Sequence, residues 1–197
     1  MKINNKNYRH FSYFILFLIV VSTAIAFFIN KLINIYEINL PFYIEIPSIT
    51  LIYGILFYFF DNYFWKWRIF KIVGIIVADN LNGKWMGVAK TSYDNFLNDI
   101  PVTLNIKQTA TGVVIQGIFD SSKSISLNAN FERSEVDDSV ALFYFYRNEP
   151  NYDAVNTMAT HEGSVKLIYN KVENRLEGSY YSGRDRNNYG TLKVFKQ

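Results

Sequence analysis

The sequence predicts two architectures in one chain: an N-terminal two-helix transmembrane hairpin, and an all-β C-terminal domain folded as an antiparallel up-and-down β-barrel of about eight strands. Three observations predict this. Residues 11–30, FSYFILFLIVVSTAIAFFIN, contain no charged side chain. A second apolar run, IPSITLIYGILFYFF, occupies residues 46–60. Beyond Ala78 such runs give way to alternating polar and apolar residues, interrupted at short intervals by Asn, Ser, Gly and Asp. The expected division is therefore a hairpin with its connector over 1–78 and a barrel over 79–197.

The first span is long enough. A helix rising about 1.5 Å per residue needs about 20 apolar residues to cross a hydrocarbon core of ~30 Å. A cleaved signal peptide is the competing reading, but its apolar part is usually about 7–15 residues ending in small side chains. This stretch is longer and ends in Phe27, Phe28, Ile29 and Asn30. The second run is short by itself. Extended back to Leu40 it spans about residues 40–60 and takes in Glu45 near one end, where a carboxylate reaches the headgroups. Tyr58, Tyr63, Trp65 and Trp67 crowd its far end as an interfacial aromatic belt would. Residues 64–77 then read as an amphipathic connector at the membrane surface.

Charge sets the expected orientation. The formal net charge of +3 is unevenly spread. Lys2, Lys6 and Arg9 precede the first span, Lys66, Arg68 and Lys71 follow the second, and the loop between them has only Lys31 as a cation. By the positive-inside rule both termini are cytoplasmic, in a multi-pass protein of the inner membrane. The 79–197 region carries thirteen basic and fourteen acidic residues. That balance offers no surface for a DNA or RNA polymer, which binds through many uncompensated cations. Without cysteine, disulfides and thiolate chemistry are excluded.

Strand patterning begins at Leu81. Residues 83–93 place Trp85, Gly87, Ala89, Thr91 and Tyr93 on one face, and 101–108 repeat the alternation. Strands at 113–119 and 124–131 follow, the latter with Ile125, Leu127, Ala129 and Phe131 expected to face inward. The run SVALFYFYR, residues 139–147, is apolar on both faces, as expected of a strand covered on its outside by another element or a partner. Three more strands are expected at 164–169, 176–182 and 190–195. Residues 149–161 form a long link with room for a turn of helix. Successive antiparallel strands with short links suit a closed barrel able to hold one small ligand, with a β-sandwich as the alternative.

Catalysis is not expected. His10 and His161 are the only histidines, and neither has metal-ligand spacing or a nucleophile motif beside it. Asp137 and Asp138 are adjacent and would point to opposite faces of a strand, so a solvated turn is the better reading. No catalytic residue, metal site or cofactor is assigned. Binding is better supported. The inward phase is mostly aliphatic but includes Thr91, Tyr93, Gln108, Tyr169 and Tyr180, with Arg184 in phase with Tyr180 if the strand runs that far. Tyrosine rings stack on bases and the arginine fork pairs with phosphate oxygens. Ordinary barrel filling with hydroxyls near the rim is the better reading of any single tyrosine, and the binding reading gains weight from Arg184 and Tyr93 taken together.

The two-span hairpin, the exit YFWKWRIF, a first strand reading LNGKWMGVAKTSY and a late LEGSYYSGRDRNNYG together resemble the membrane effectors of bacterial cyclic-oligonucleotide anti-phage (CBASS) systems, of the CD-NTase-associated protein 15 type. The order of parts carries the resemblance, which covers essentially the whole chain. It implies a barrel receptor for a cyclic dinucleotide, self-association on binding, and disruption of the lipid bilayer in abortive infection. Tyr93, Tyr180 and Arg184 are the expected ligand-binding residues, with Arg184 the first candidate for the phosphate cation and Arg186 its neighbour of the same strand parity. The alternative is a membrane-anchored, lipocalin-like barrel that holds a lipid or another small apolar ligand.

Overall fold

The computed structural model describes residues 5–36, 47–133, 139–183 and 186–197. The chain divides into two compact units, Met1–Val77 and Ala78–Gln197.

The first unit is helical. Helix α1 runs Asn5–Ile35, and within it His10–Ile35 is long and apolar enough to cross a membrane. Ser22 and Thr23 sit inside this stretch with their hydroxyls satisfied, because each donates to the carbonyl four residues back, Leu18 and Ile19. Helix α2 runs Pro47–Asn62, its apolar part being Ile49–Asn62. Proline at the first helical position has no N–H to leave unsatisfied. Residues 40–46, which the sequence reading adds to this span, lie outside the described residues. Phe14 of α1 packs against Phe60 of α2 with ring centroids 4.2 Å apart, so the two helices are neighbours. The connector is not one amphipathic helix. It breaks into a 3₁₀ turn at Phe64–Lys66, which buries Trp65, and a short helix α3 at Arg68–Ile72.

The second unit is a closed antiparallel barrel in sequential order, β1 to β8, with β8 returning to pair with β1. The strands are β1 Gly83–Thr91, β2 Ile100–Gln108, β3 Val113–Phe119, β4 Ser122–Arg133, β5 Val140–Pro150, β6 His161–Asn170, β7 Arg175–Ser182 and β8 Tyr189–Lys196. Closure leaves no unpaired edge. The long 149–161 link contains a single 3₁₀ turn, Tyr152–Ala154.

One end of the barrel is plugged. Trp85, Leu104, Ile106, Leu142, Leu167, Leu176 and Val194 are buried there. The Trp85 ring stands edge-on to Tyr169 at 5.8 Å, and its Nε1–H donates to the Leu81 carbonyl at 2.8 Å. Gln108 and Tyr169, expected among inward polar groups, both serve this plug. The Gln108 Oε1 accepts from the Leu81 N–H, and the Tyr169 hydroxyl donates to Asn174 Oδ1.

Strand β4 corrects the sequence reading. Leu127 is an extra residue between Ser126, opposite Tyr146, and Asn128, opposite Phe145. A bulge shifts the side-chain phase by one. Ala129 and Phe131 pack against the core as expected, but Ile125 and Leu127 are about half exposed on the outer wall. Ser122, Ser124 and Ser126 point inward instead: Ser122 is buried, and Ser126 Oγ accepts from the Ile115 N–H. On β5 the outward Phe143 and Phe145 pack edge-to-face at 5.2 Å, and Phe145 remains half exposed. It lies in an outer groove beside Leu127 and Tyr181. Asp137 and Asp138 lie outside the described residues.

Candidate ligand-binding site

The other end of the barrel is hollow. A cavity of about 300 Å³ opens where the C-terminal ends of the odd strands meet the N-terminal ends of the even ones. Its floor is apolar, with Ala89, Ile100, Val165 and Leu192 above the plug. Its mouth is polar, with Thr91, Ser122, Ser124, Asn148, Ser182 and Asn188. Three tyrosines, Tyr144, Tyr146 and Tyr180, form the walls between.

Two glycines create the room. A Cβ on Gly163 of β6 would lie 2.5 Å from the Tyr146 hydroxyl, and one on Gly190 of β8 would lie 2.4 Å from the Tyr180 ring. Each tyrosine thus lies against a strand backbone, which leaves the centre of the barrel open. Burial raises the pKa of Tyr144, Tyr146 and Tyr180 above that of a free phenol, and hydrogen bonding from Ser182 to the Tyr146 oxygen and from Thr91 to that of Tyr180 offsets only part of this. All three hydroxyls therefore remain neutral donors at physiological pH.

Among the described residues that line the cavity, the permanent cation is Arg186. The link after β7 folds as a tight turn in which the Arg186 and Asn187 N–H groups both donate to the Gly183 carbonyl, and the Ser182 N–H donates to the Asn188 carbonyl at 2.7 Å. Asn187 has a positive φ of 48°, which asparagine tolerates. The turn aims Arg186 at the cavity, where its charge is felt by Tyr146, Tyr180 and His161. No Asp, Glu or Lys is among the described lining residues. Asp94, the carboxylate felt by Tyr180, accepts hydrogen bonds from the Asn98 N–H and Nδ2.

His161 opens β6 opposite Asn148, with its ring edge-on to Tyr146 at 6.3 Å. Its Nδ1 lies 3.0 Å from the Ala159 carbonyl. The link 151–160 is anchored at its start to the turn before β4, where the Asn151 N–H donates to the Ser121 carbonyl and Asn151 Nδ2 to that of Asp120, and its Thr157 and Met158 line the cavity.

The residues expected from the sequence fall differently. Tyr180 lies in the cavity wall on β7. Tyr93 is not on the inward phase of β1, which ends at Thr91. It sits on a 3₁₀ turn, Ser92–Asp94, 76% exposed, and reaches the cavity only as part of its rim. Arg184 lies outside the described residues, and β7 ends at Ser182. The sequence reading missed Tyr144, Tyr146, Asn148, His161 and the β4 serines. The run 139–147 marked β5 as unusual, but nothing in it showed which aromatics faced in. Among the described residues no group of three or more His, Asp or Glu side chains converges as a metal site.

A closed barrel plugged at one end, with an apolar, tyrosine-walled cavity and an arginine at the other, defines a small-ligand receptor. The family model for the Cap15 cyclic dinucleotide receptor domain matches residues 77–196, which include every strand of the barrel. The chain belongs to that family, as the resemblance in its sequence implied. A search of curated proteins found no match. A cyclic-dinucleotide-binding effector of the CBASS type is the class that family membership supports.

Proposed function

We propose that the cavity holds one base and sugar of a cyclic dinucleotide between Tyr180, Tyr146 and the rim Tyr93, with a phosphate at the mouth facing Arg186. One observation carries this reading: an apolar, aromatic pocket whose mouth holds an arginine and no described carboxylate. Bases insert where stacking surfaces exclude water, and phosphates go where charged donors remain solvated. At about 300 Å³ the cavity is at the lower end for small-molecule sites, so part of the ligand stays outside. Arg184, close in sequence to Arg186, is a further candidate for that exposed part. A lipid carrier would need an apolar mouth, and this one is hydroxyl- and amide-rich.

Binding is coupled to the membrane unit in this proposal. The chain spans the inner membrane twice, over about 11–30 and 40–60, with both termini cytoplasmic. Liganded barrels associate, their hairpins cluster, and the bilayer fails. Self-association uses the outer wall of β4–β7, where Leu127, Phe145 and Tyr181 line an apolar groove that a second copy would cover.

Dye release from vesicles carrying the full chain tests both parts. Arg186→Ala should weaken cyclic dinucleotide binding by about 1.5–3 kcal/mol, the worth of a charged hydrogen bond, and lose ligand-triggered release with it. Phe145→Glu should keep binding and lose release. Release by Arg186→Ala at ligand concentrations where it is unbound would refute the coupling.

A further inference from the structure

A cyclic dinucleotide carries two phosphodiesters, each with one negative charge, whereas the described lining of the cavity supplies one permanent cation, Arg186. His161 is the other lining residue able to carry positive charge in the physiological range. Its hydrogen bond defines how. The Ala159 carbonyl can only accept, so Nδ1 holds the proton of the neutral ring. Nε2 then presents a bare lone pair, which a phosphate oxygen repels. To donate there, the ring must take a second proton.

We propose that His161 is a second phosphate-binding residue that acts only as the imidazolium, so that the receptor takes up one proton as it binds a cyclic dinucleotide. This rests on the cavity being the ligand site. The chemistry balances as a protonation: the proton comes from solvent to Nε2, Nδ1–H stays on the Ala159 carbonyl, and no covalent bond to the ligand forms.

The groups facing His161 favour such coupling. Tyr146 on β5 and Tyr180 on β7 are neutral donors, Asn148 opposite it is uncharged, and Arg186 is cationic. Glu162, the next residue, is held on the outer face by Arg147 at 2.8 Å. In the unliganded barrel, burial holds His161 below the ordinary imidazole value; the Ala159 contact, next in size, pulls the other way, and Arg186 adds a smaller depression. The free ring is therefore neutral near pH 7. A bound dianion reverses the local field and raises its pKa. Affinity is greatest below the free pKa, falls as pH rises between the free and bound values, and is flat above both. Each unit by which binding raises that pKa makes the low-pH limit about tenfold tighter than the high-pH one.

The test is calorimetry on the full chain in detergent from pH 5.5 to 8.5, using the tightest binder among cyclic di-AMP, cyclic di-GMP and cyclic di-UMP. Repeating it in buffers of different ionisation enthalpy counts protons directly. The expected result is tighter binding at low pH with net proton uptake. His161→Gln should show a flat profile at the parent's high-pH affinity, and His161→Arg should bind tightly at every pH. Binding by His161→Gln at the parent's high-pH affinity and by His161→Arg at the parent's low-pH affinity also establishes that both fold. A parent profile that is flat with no proton uptake overturns the proposal and leaves the receptor reading standing, with the second charge assigned to a permanent cation, Arg184 first. Failure of all three cyclic dinucleotides to bind at any pH overturns the receptor reading itself.

Discussion

Tyr146 shares the barrel mouth with His161 and Arg186, and the three behave as one electrostatic unit. Its hydroxyl stays neutral because burial opposes the phenolate, and the same low-dielectric setting keeps the neighbouring imidazole uncharged. This has a consequence for stability without ligand. The folded pKa of His161 lies below the unfolded value of about 6.5, so the unfolded chain binds a proton that the folded barrel refuses. Stability is unaffected by this group above that value, declines as pH falls through it, and levels off below the folded pKa. Urea unfolding of the full chain across pH 5–8 should show this decline in the parent and lose it in His161→Gln. A parent that is more stable at pH 5.5 than at 7.5 would mean that an anionic partner already faces the ring.

Among the elements, those with strict alternation were legible in the sequence. Trp85, Ala89 and Thr91 on β1 and Val102, Leu104 and Ile106 on β2 face inward as their period of two requires. Strand β4 was not legible, because the bulge at Leu127 adds a residue without changing composition, and the apolar members of the N-terminal half turn outward. The site depends on that hidden shift, since it brings Ser122 and Ser124 to the cavity. Tyr93 was misplaced for a related reason. The alternation continues past Thr91, but the Thr91 Oγ1 accepts from the Tyr93 N–H and starts a turn. His161 lies at a strand end, where periodicity carries no information and only the fold of the links decides direction; Arg186 was legible only as the neighbour of Arg184 by strand parity, and it reaches the cavity from the turn after β7 rather than from a strand. The β4 phase is testable by thermal or urea unfolding. Ile125→Ser and Leu127→Ser should each change stability by no more than about 0.5 kcal/mol, whereas Trp85→Ala should cost about 3–5 kcal/mol. It empties the plug and orphans the Leu81 carbonyl. A cost of several kcal/mol at Ile125 would restore the unbulged phase.

At the scale of the whole molecule, the chain joins a helical unit, whose described residues include one membrane-length apolar helix, to a barrel of the Cap15 receptor family. The barrel separates its tasks along its axis. Trp85, Gln108 and Tyr169 close the end where the chain enters from Asp79, and the cavity is confined to the other. Such a receptor should be stabilised by what it binds, because a ligand that binds only the folded state shifts the equilibrium by mass action. The measurement closest to the central claim is therefore unfolding of the barrel in the full chain, titrated with cyclic dinucleotides and, in parallel, with fatty acids. A cyclic dinucleotide at a hundred times its dissociation constant should add about 2.7 kcal/mol, less in Arg186→Ala at the same concentration, and fatty acids should add nothing. Stabilisation by fatty acids with none from any cyclic dinucleotide would contradict the account.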